Sequence, residues 1–166
     1  QDNSPIYNGF WFIVRPSVIG IEYGDGLGEN NPAFRRGKSA AITIQANQWT
    51  HVCAIVKGAN DIQIFLNGVN VGGNYGGSST SPMASNFPAD VAKIGYFLSN
   101  GIIYRFSGTL DHIQLFNRAL AQQEIQKNMT RKLMGNEAGL IGYWTFDEKT
   151  GNTVFDKSIN QFQGQA

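Results

Sequence analysis

Most of this chain consists of short apolar or alternating segments of 5 to 9 residues, each cut off by Gly, Asn, Pro or Ser. Segments of that length have the reach of strands and are too brief for amphipathic helices. Residues Gly9 to Val14 and Val18 to Tyr23 read as two strands, with Arg15-Pro16-Ser17 as the turn. A polar Gly/Asn-rich loop from Gly24 to about Lys38 leads to a short strand, Ala41 to Gln45, and a longer one, Trp49 to Lys57. Asp61 to Leu66, Asn67-Gly68 and Val69 to Gly72 predict a tight hairpin, because Asn-Gly supplies the positive φ values a two-residue turn requires. Gly72 to Pro82 is a Gly/Ser loop, and further strands are expected at Val91 to Leu98, Ile102 to Phe106, Thr109 to Phe116, Leu140 to Phe146 and Val154-Phe155. In the 109–116 strand, alternation puts Asp111, Ile113 and Leu115 on one face. One segment departs from this pattern. Leu120, Ile125, Met129 and Leu133 recur at near-helical spacing before Gly135, which predicts a helix from Ala121 to Leu133. Many strands with one late helix predict an all-β protein, an antiparallel β-sandwich jelly roll with one short helix near the C-terminal third.

Composition agrees. Polarity rests on 20 Gly, 16 Asn and 11 Gln rather than on ions, since only 15% of residues are charged against the usual quarter. A chain of 166 residues buries enough surface to fold without disulfide or metal. The 13 Lys+Arg nearly cancel 12 Asp+Glu, leaving +1 and no basic stripe to neutralise phosphates, so nucleic acid is not an expected partner. No apolar run approaches the ~18 residues of a membrane span. The chain opens on Gln1, as expected of a processed product or a segment of something longer. Cys53 stands alone and cannot form an internal disulfide, and the sequon Asn128-Met129-Thr130 falls in the predicted helix.

Three stretches carry a resemblance. Gln48-Trp49-Thr50-His51-Val52 leads into Ile64-Phe65-Leu66-Asn67-Gly68-Val69. Phe106-Ser107-Gly108-Thr109-Leu110-Asp111 is followed by Asn117-Arg118-Ala119-Leu120 and Glu124-Ile125. Gly139-Leu140-Ile141-Gly142-Tyr143-Trp144-Thr145-Phe146-Asp147-Glu148 is followed by Asp156, Ser158 and Asn160. In order and spacing these resemble the hairpin, the closing strand with its helix, and the opening strand of laminin-G-like and pentraxin-like domains of the concanavalin A-like lectin/glucanase superfamily. The resemblance implies a sandwich at 1–135 whose usual first strands are not visible, and at 136–166 strands like those that start such a domain. Those strands complete this sandwich beside Thr109 to Phe116, or begin a next repeat; alternatively a neighbouring chain supplies the missing strands. A segment of a larger surface protein is the favoured expectation. Two positions depart from the family pattern. Ala121 replaces the Ser that caps the helix, and His112 replaces a Glu after the Asp.

Candidate chemistry is sparse. Glycanases need two carboxylates on one face, and Glu22 and Asp25 straddle a predicted turn. His51 and Cys53 share a strand face but stand roughly 6–7 Å apart along it, too far for a thiolate–imidazole pair. Two His and one Cys lack any zinc spacing. Asp25, Gly26, Glu29 and Asn31 fail the EF-hand pattern at the twelfth position, Arg36. From the resemblance, a calcium ion would be held by Asp111, Asp156 and Asn160, the ordinary alternative being plain Asx turns. Sugar binding uses exposed aromatic faces with amides beside them. The candidates are Asn74, Tyr75 and Tyr104, whereas Trp11, Trp49 and Trp144 sit in strand patterns and read as core. The expected function is a non-catalytic recognition or adhesion module, extracellular or on the cell surface, that binds glycan or an extracellular protein. The rival is a structural subunit of a surface fibre or sheath, self-associating or packed on a neighbouring repeat.

Overall fold

The computed structural model describes residues 8–28, 31–84, 92–99 and 102–165. The chain divides into two compact units, 1–92 and 93–166. The boundary expected at 135/136 therefore falls inside the second unit.

The first unit holds two antiparallel sheets. Its strands are β1 (Phe10–Arg15), β2 (Val18–Gly24), β3 (Arg35–Ala41), β4 (Val52–Gly58), β5 (Asp61–Leu66), β6 (Val69–Asn70) and β7 (Asn74–Gly76). One sheet has the order β1-β2-β3-β7 and the other β4-β5-β6. Asn67 and Gly68 take φ of 49° and 74°, the left-handed pair that the hairpin required. The inner faces meet in a core of Ile19, Ala40 and Ile64 beside Ile21, Tyr23 and Ile62, with Val52, Ala54 and Val56 packed on it.

β3 is the element that the sequence reading misplaced, as a loop followed by a strand at 41–45. Its Arg35, Arg36 and Lys38 hide the apolar pattern, yet all of 35–41 pairs with β2. Phe12, Ile21, Lys38 and Tyr75 stand opposite one another across the four strands and so share the inner face. Lys38 keeps its stem there and carries its ammonium to the rim, where Nζ donates to the Ile62 carbonyl at 2.9 Å. Arg36 does the same, donating to the carbonyls of Ala59 and Gly77 and to Asn60 Oδ1.

In the second unit β8 (Tyr96–Ser99) pairs with β9 (Ile102–Arg105), and β10 (Ile113–Phe116) with β11 (Leu140–Trp144). The short strands β12 (Thr153–Val154) and β13 (Gly164–Gln165) form a third ladder. Leu133, Leu140 and Tyr143 make the core, with Phe116 against it. β10 starts later than expected because His112 has φ of 51°, which breaks the alternation after Asp111. The His112 ring stacks on Tyr143, and the Tyr143 hydroxyl lies 2.8 Å from Nδ1 and accepts from Leu133 N–H.

The helix α1 spans Gln122–Asn128, shorter than the predicted 121–133. Asn128 is buried with Oδ1 accepting from the Arg131 guanidinium, and the Thr130 hydroxyl donates to the Lys127 carbonyl. These side-chain bonds compete with a further turn. Held this way, Asn128 is not an exposed glycosylation acceptor. At the other end Glu124 Oε2 accepts from Ala121 N–H, one half of a capping box. Arg118 also pairs with Glu124 and holds its carboxyl down at about 2, through their hydrogen bond first and the Ala121 N–H second. Ala121 cannot supply the other half. Ala121→Ser should add about 0.5–2 kcal/mol, read as a rise in melting temperature.

Candidate functional site

Because Phe12, Ile21, Lys38 and Tyr75 point inward, their neighbours along each strand point outward. Three rows result across the outer face of the first sheet. Trp11, Glu22, Gly37 and Gly76 form one, Ile13, Gly20, Ser39 and Asn74 the next, and Arg15, Val18 and Ala41 the third. The absent side chains of Gly20, Gly37 and Gly76 open a trough, flanked by Ile13, Arg15, Val18, Glu22 and Ser39.

The fold requires glycine at Gly37 and leaves little room at Gly20. A Cβ at Gly37 would stand 2.6 Å from the Ile21 carbonyl oxygen and 3.1 Å from Glu22 Cα, and one at Gly20 would stand 3.2 Å from the Lys38 carbonyl oxygen. At Gly76 a Cβ would meet nothing within 4 Å, so its space belongs to the trough. The trough measures about 140 Å³, less than the roughly 300–1,000 Å³ of sites that enclose a small molecule. It is an open shelf rather than an enclosed pocket.

The shelf carries fixed polarity. Arg35 Nη1 donates to Glu22 Oε1 at 2.8 Å, which orients the carboxylate across the β2–β3 boundary. Among the described residues, the side chains of Arg15, Ser39 and Asn74 make no hydrogen bond or ion pair. A guanidinium, a carboxylate, a hydroxyl and an amide thus border a floor of bare backbone. These groups suit a flat ligand rich in hydroxyls.

The sequence-predicted residues scatter. Asn74 stands exposed at the edge of this shelf. Tyr75, next to it, faces the other way. Its hydroxyl donates to the Asn60 carbonyl at 2.8 Å and accepts from Ile62 N–H, while Arg36 and Lys38 lie over its ring at 4.5 and 4.9 Å. Tyr104 is exposed on β9, in the other unit. Trp49, expected in the core, is 70% exposed just ahead of β4. Glu22 belongs to the shelf, whereas Asp25 is buried, accepting from Leu27 N–H and the Ser79 hydroxyl. Glu29 lies outside the described residues. Sequence reasoning missed Arg15, Gly20, Gly37, Ser39 and Gly76. The available signal was glycine recurring inside strand patterns, which marks close backbone approach.

Asp111, Asp156 and Asn160 do not fit a calcium ion. Ile113 of β10 pairs with Trp144 on one edge of β11, and Asp156 bridges Trp144 on the other. Both oxygens of Asp156 are already occupied. Oδ1 accepts from Tyr143 and Ser158 N–H, and Oδ2 from Phe162 N–H and the Ser158 hydroxyl. Asn160 donates to the Ile141 carbonyl, and the Asp111 carboxylate accepts from His112 N–H. Among the described residues no three His, Cys, Asp or Glu stand close enough to hold a metal. The Cys53 thiol is pushed up to about 11 by burial, and burial lowers the His51 imidazole, so neither charges readily.

A laminin-G-type family model, described as the concanavalin A-like lectin/glucanases superfamily, matches residues 8–126. That stretch includes all seven strands of the first unit and the first five residues of α1. The chain belongs to the concanavalin A-like lectin/glucanase superfamily. Neither the curated proteins nor the solved structures compared with it gave a match. Membership in this superfamily supports a lectin-like or other binding module, whose partner is a glycan or a protein. No helix among the described residues is long and apolar enough to cross a membrane.

Proposed function

We propose that this chain is a non-catalytic extracellular recognition module that binds glycan on the outer face of its β1-β2-β3-β7 sheet. The observation that carries the reading is the glycine-floored shelf bordered by Arg15, Glu22, Ser39 and Asn74. Hydroxyls need both donors and acceptors, and those four side chains offer both. A bare backbone floor lets a sugar ring approach to contact distance. Glu22 is the acid of this shelf and is tied to Arg35, an arrangement that orients hydroxyls rather than one that shuttles protons.

Gly76→Leu tests this cleanly. Gly76 has open space around it and no left-handed φ, so the variant should melt with the wild type while its side chain fills the trough. Glycan binding on an array, followed by calorimetry, should fall at least tenfold. Unchanged affinity in a folded variant would move the site elsewhere.

The self-assembly reading is favoured by one observation: Met134, Ile159 and Phe162 are strongly exposed around the turn after Asp156. Sedimentation of the full chain distinguishes the two, since a glycan-binding monomer supports the first and an assembly without sugar affinity the second.

A further inference from the structure

We propose that the shelf selects oligosaccharides bearing a carboxylate, with the Arg15 guanidinium taking the carboxylate of one ring and Glu22 the hydroxyls of a neighbouring ring. This rests on the glycan reading and names the ligand class of the same site.

The charges on and around the sheet single out Arg15. Arg35 is neutralised by Glu22. Arg36 and Lys38 belong to the inner face and spend their donors on Ala59, Gly77, Asn60 and Ile62. Arg15 borders the trough with no ion pair or hydrogen bond among the described residues. A guanidinium presents two parallel donors that match a planar carboxylate and is less costly to strip of water than an ammonium. Ile13 and Val18 border the same trough and offer apolar contact to the sugar ring beside the guanidinium.

Spacing supports the same ligand. Arg15 and Glu22 lie one strand and four residues apart in the register, since Arg15 pairs with Val18 and Trp11 with Glu22, about 14 Å between backbone positions from the ordinary rise and strand separation. That span suits an acidic oligosaccharide lying along β2, with one uronic acid ring placing its carboxylate at Arg15 over the Gly20 floor and the hydroxyls of a neighbouring ring at Glu22. A neutral sugar leaves Arg15 unmatched.

The test uses the full chain in calorimetric titrations with tetramers of α-1,4 galacturonate, β-1,4 glucuronate and β-1,4 mannuronate, and with each fully methyl-esterified counterpart. At least one acid should bind ten times more tightly than its ester, with the difference shrinking as salt is raised. Arg15→Gln should abolish the difference, so that acid and ester bind alike. Arg15→Lys, which keeps the charge and loses the fork, should retain part of the difference. Equal binding of acid and ester, or a preference that survives in Arg15→Gln, would overturn the inference and leave the glycan reading standing. So would binding of neutral glycans alone, abolished by Gly76→Leu. If no saccharide of either kind binds, both readings fall together.

Discussion

Tyr75→Phe should lower the unfolding free energy by about 1–3 kcal/mol, although it deletes one oxygen from a partly exposed side chain. The cause is an unfinished sheet. β6 pairs with β5 only at Leu66 and Phe65, which leaves the rest of that edge without a strand. Val71 N–H serves the Ile64 carbonyl. Ile62, nearly fully buried, gets its partners from side chains, with its N–H donating to the Tyr75 hydroxyl and its carbonyl accepting from Lys38. The phenol therefore stands in for a backbone group. Without the hydroxyl, a buried N–H and the Asn60 carbonyl lose their partner, and the desolvation penalty is no longer offset. Urea titration reads the loss, and amide exchange should locate it at Ile62. Stability unchanged within about 0.5 kcal/mol would mean that water replaces the hydroxyl.

Asp156→Ala should cost more, on the order of 3–5 kcal/mol, because one buried carboxylate organises a whole turn. Four donors converge on it from Tyr143, Ser158 and Phe162, and Gln163 Oε1 accepts from its own N–H. Burial raises its pKa, but the N–H groups of Ser158, Tyr143 and Phe162 and the Ser158 hydroxyl together outweigh burial and leave it lowered. The sign follows. A folded pKa below the ordinary ~3.9 of an unfolded aspartate contributes stability that is fully present above that value. The contribution is lost as pH falls through the lowered folded value. Asp156→Asn keeps the shape, accepts fewer bonds and carries no titration here. It should therefore be less stable at pH 7 and lose less of its stability on acidification. A wild-type melting temperature flat from pH 6 to pH 2.5 would contradict the assignment.

Legibility of the fold in the sequence followed the chemistry of each segment. The 61–70 hairpin was readable because Asn67-Gly68 has few other uses, and β2 because Ile19, Ile21 and Tyr23 alternate cleanly. β3 was not, since the cue for a buried face is apolar side chains. Here two of the inward positions are Arg36 and Lys38, whose charges escape to the rim. Trp49 misled in the other direction: it is apolar and next to a strand, but outside the ladder. The helix came out too long because spacing cannot show that Asn128 turns its side chain to Arg131.

The site was harder still. Of the binding residues named from the sequence, only Asn74 reaches the shelf, joined by Glu22, which the sequence offered only as a carboxylate to set aside. Tyr75 looked like a platform because it sits in a Gly-rich stretch, but alternation along β7 turns it inward. The shelf is defined by missing side chains, and their alignment across Gly20, Gly37 and Gly76 exists only once β2, β3 and β7 are in register.

β7 is three residues long and lies at the end of its sheet, between Gly72-Gly73 and Gly77. Its middle residue anchors it to the interior, and its last, Gly76, borders open space. A side chain added there changes the outer face of the sheet, and its Cβ meets no other atom within 4 Å. The fold therefore separates two duties within three residues, with Tyr75 holding the strand to the interior and Gly76 leaving the outer face free to take a side chain of another size.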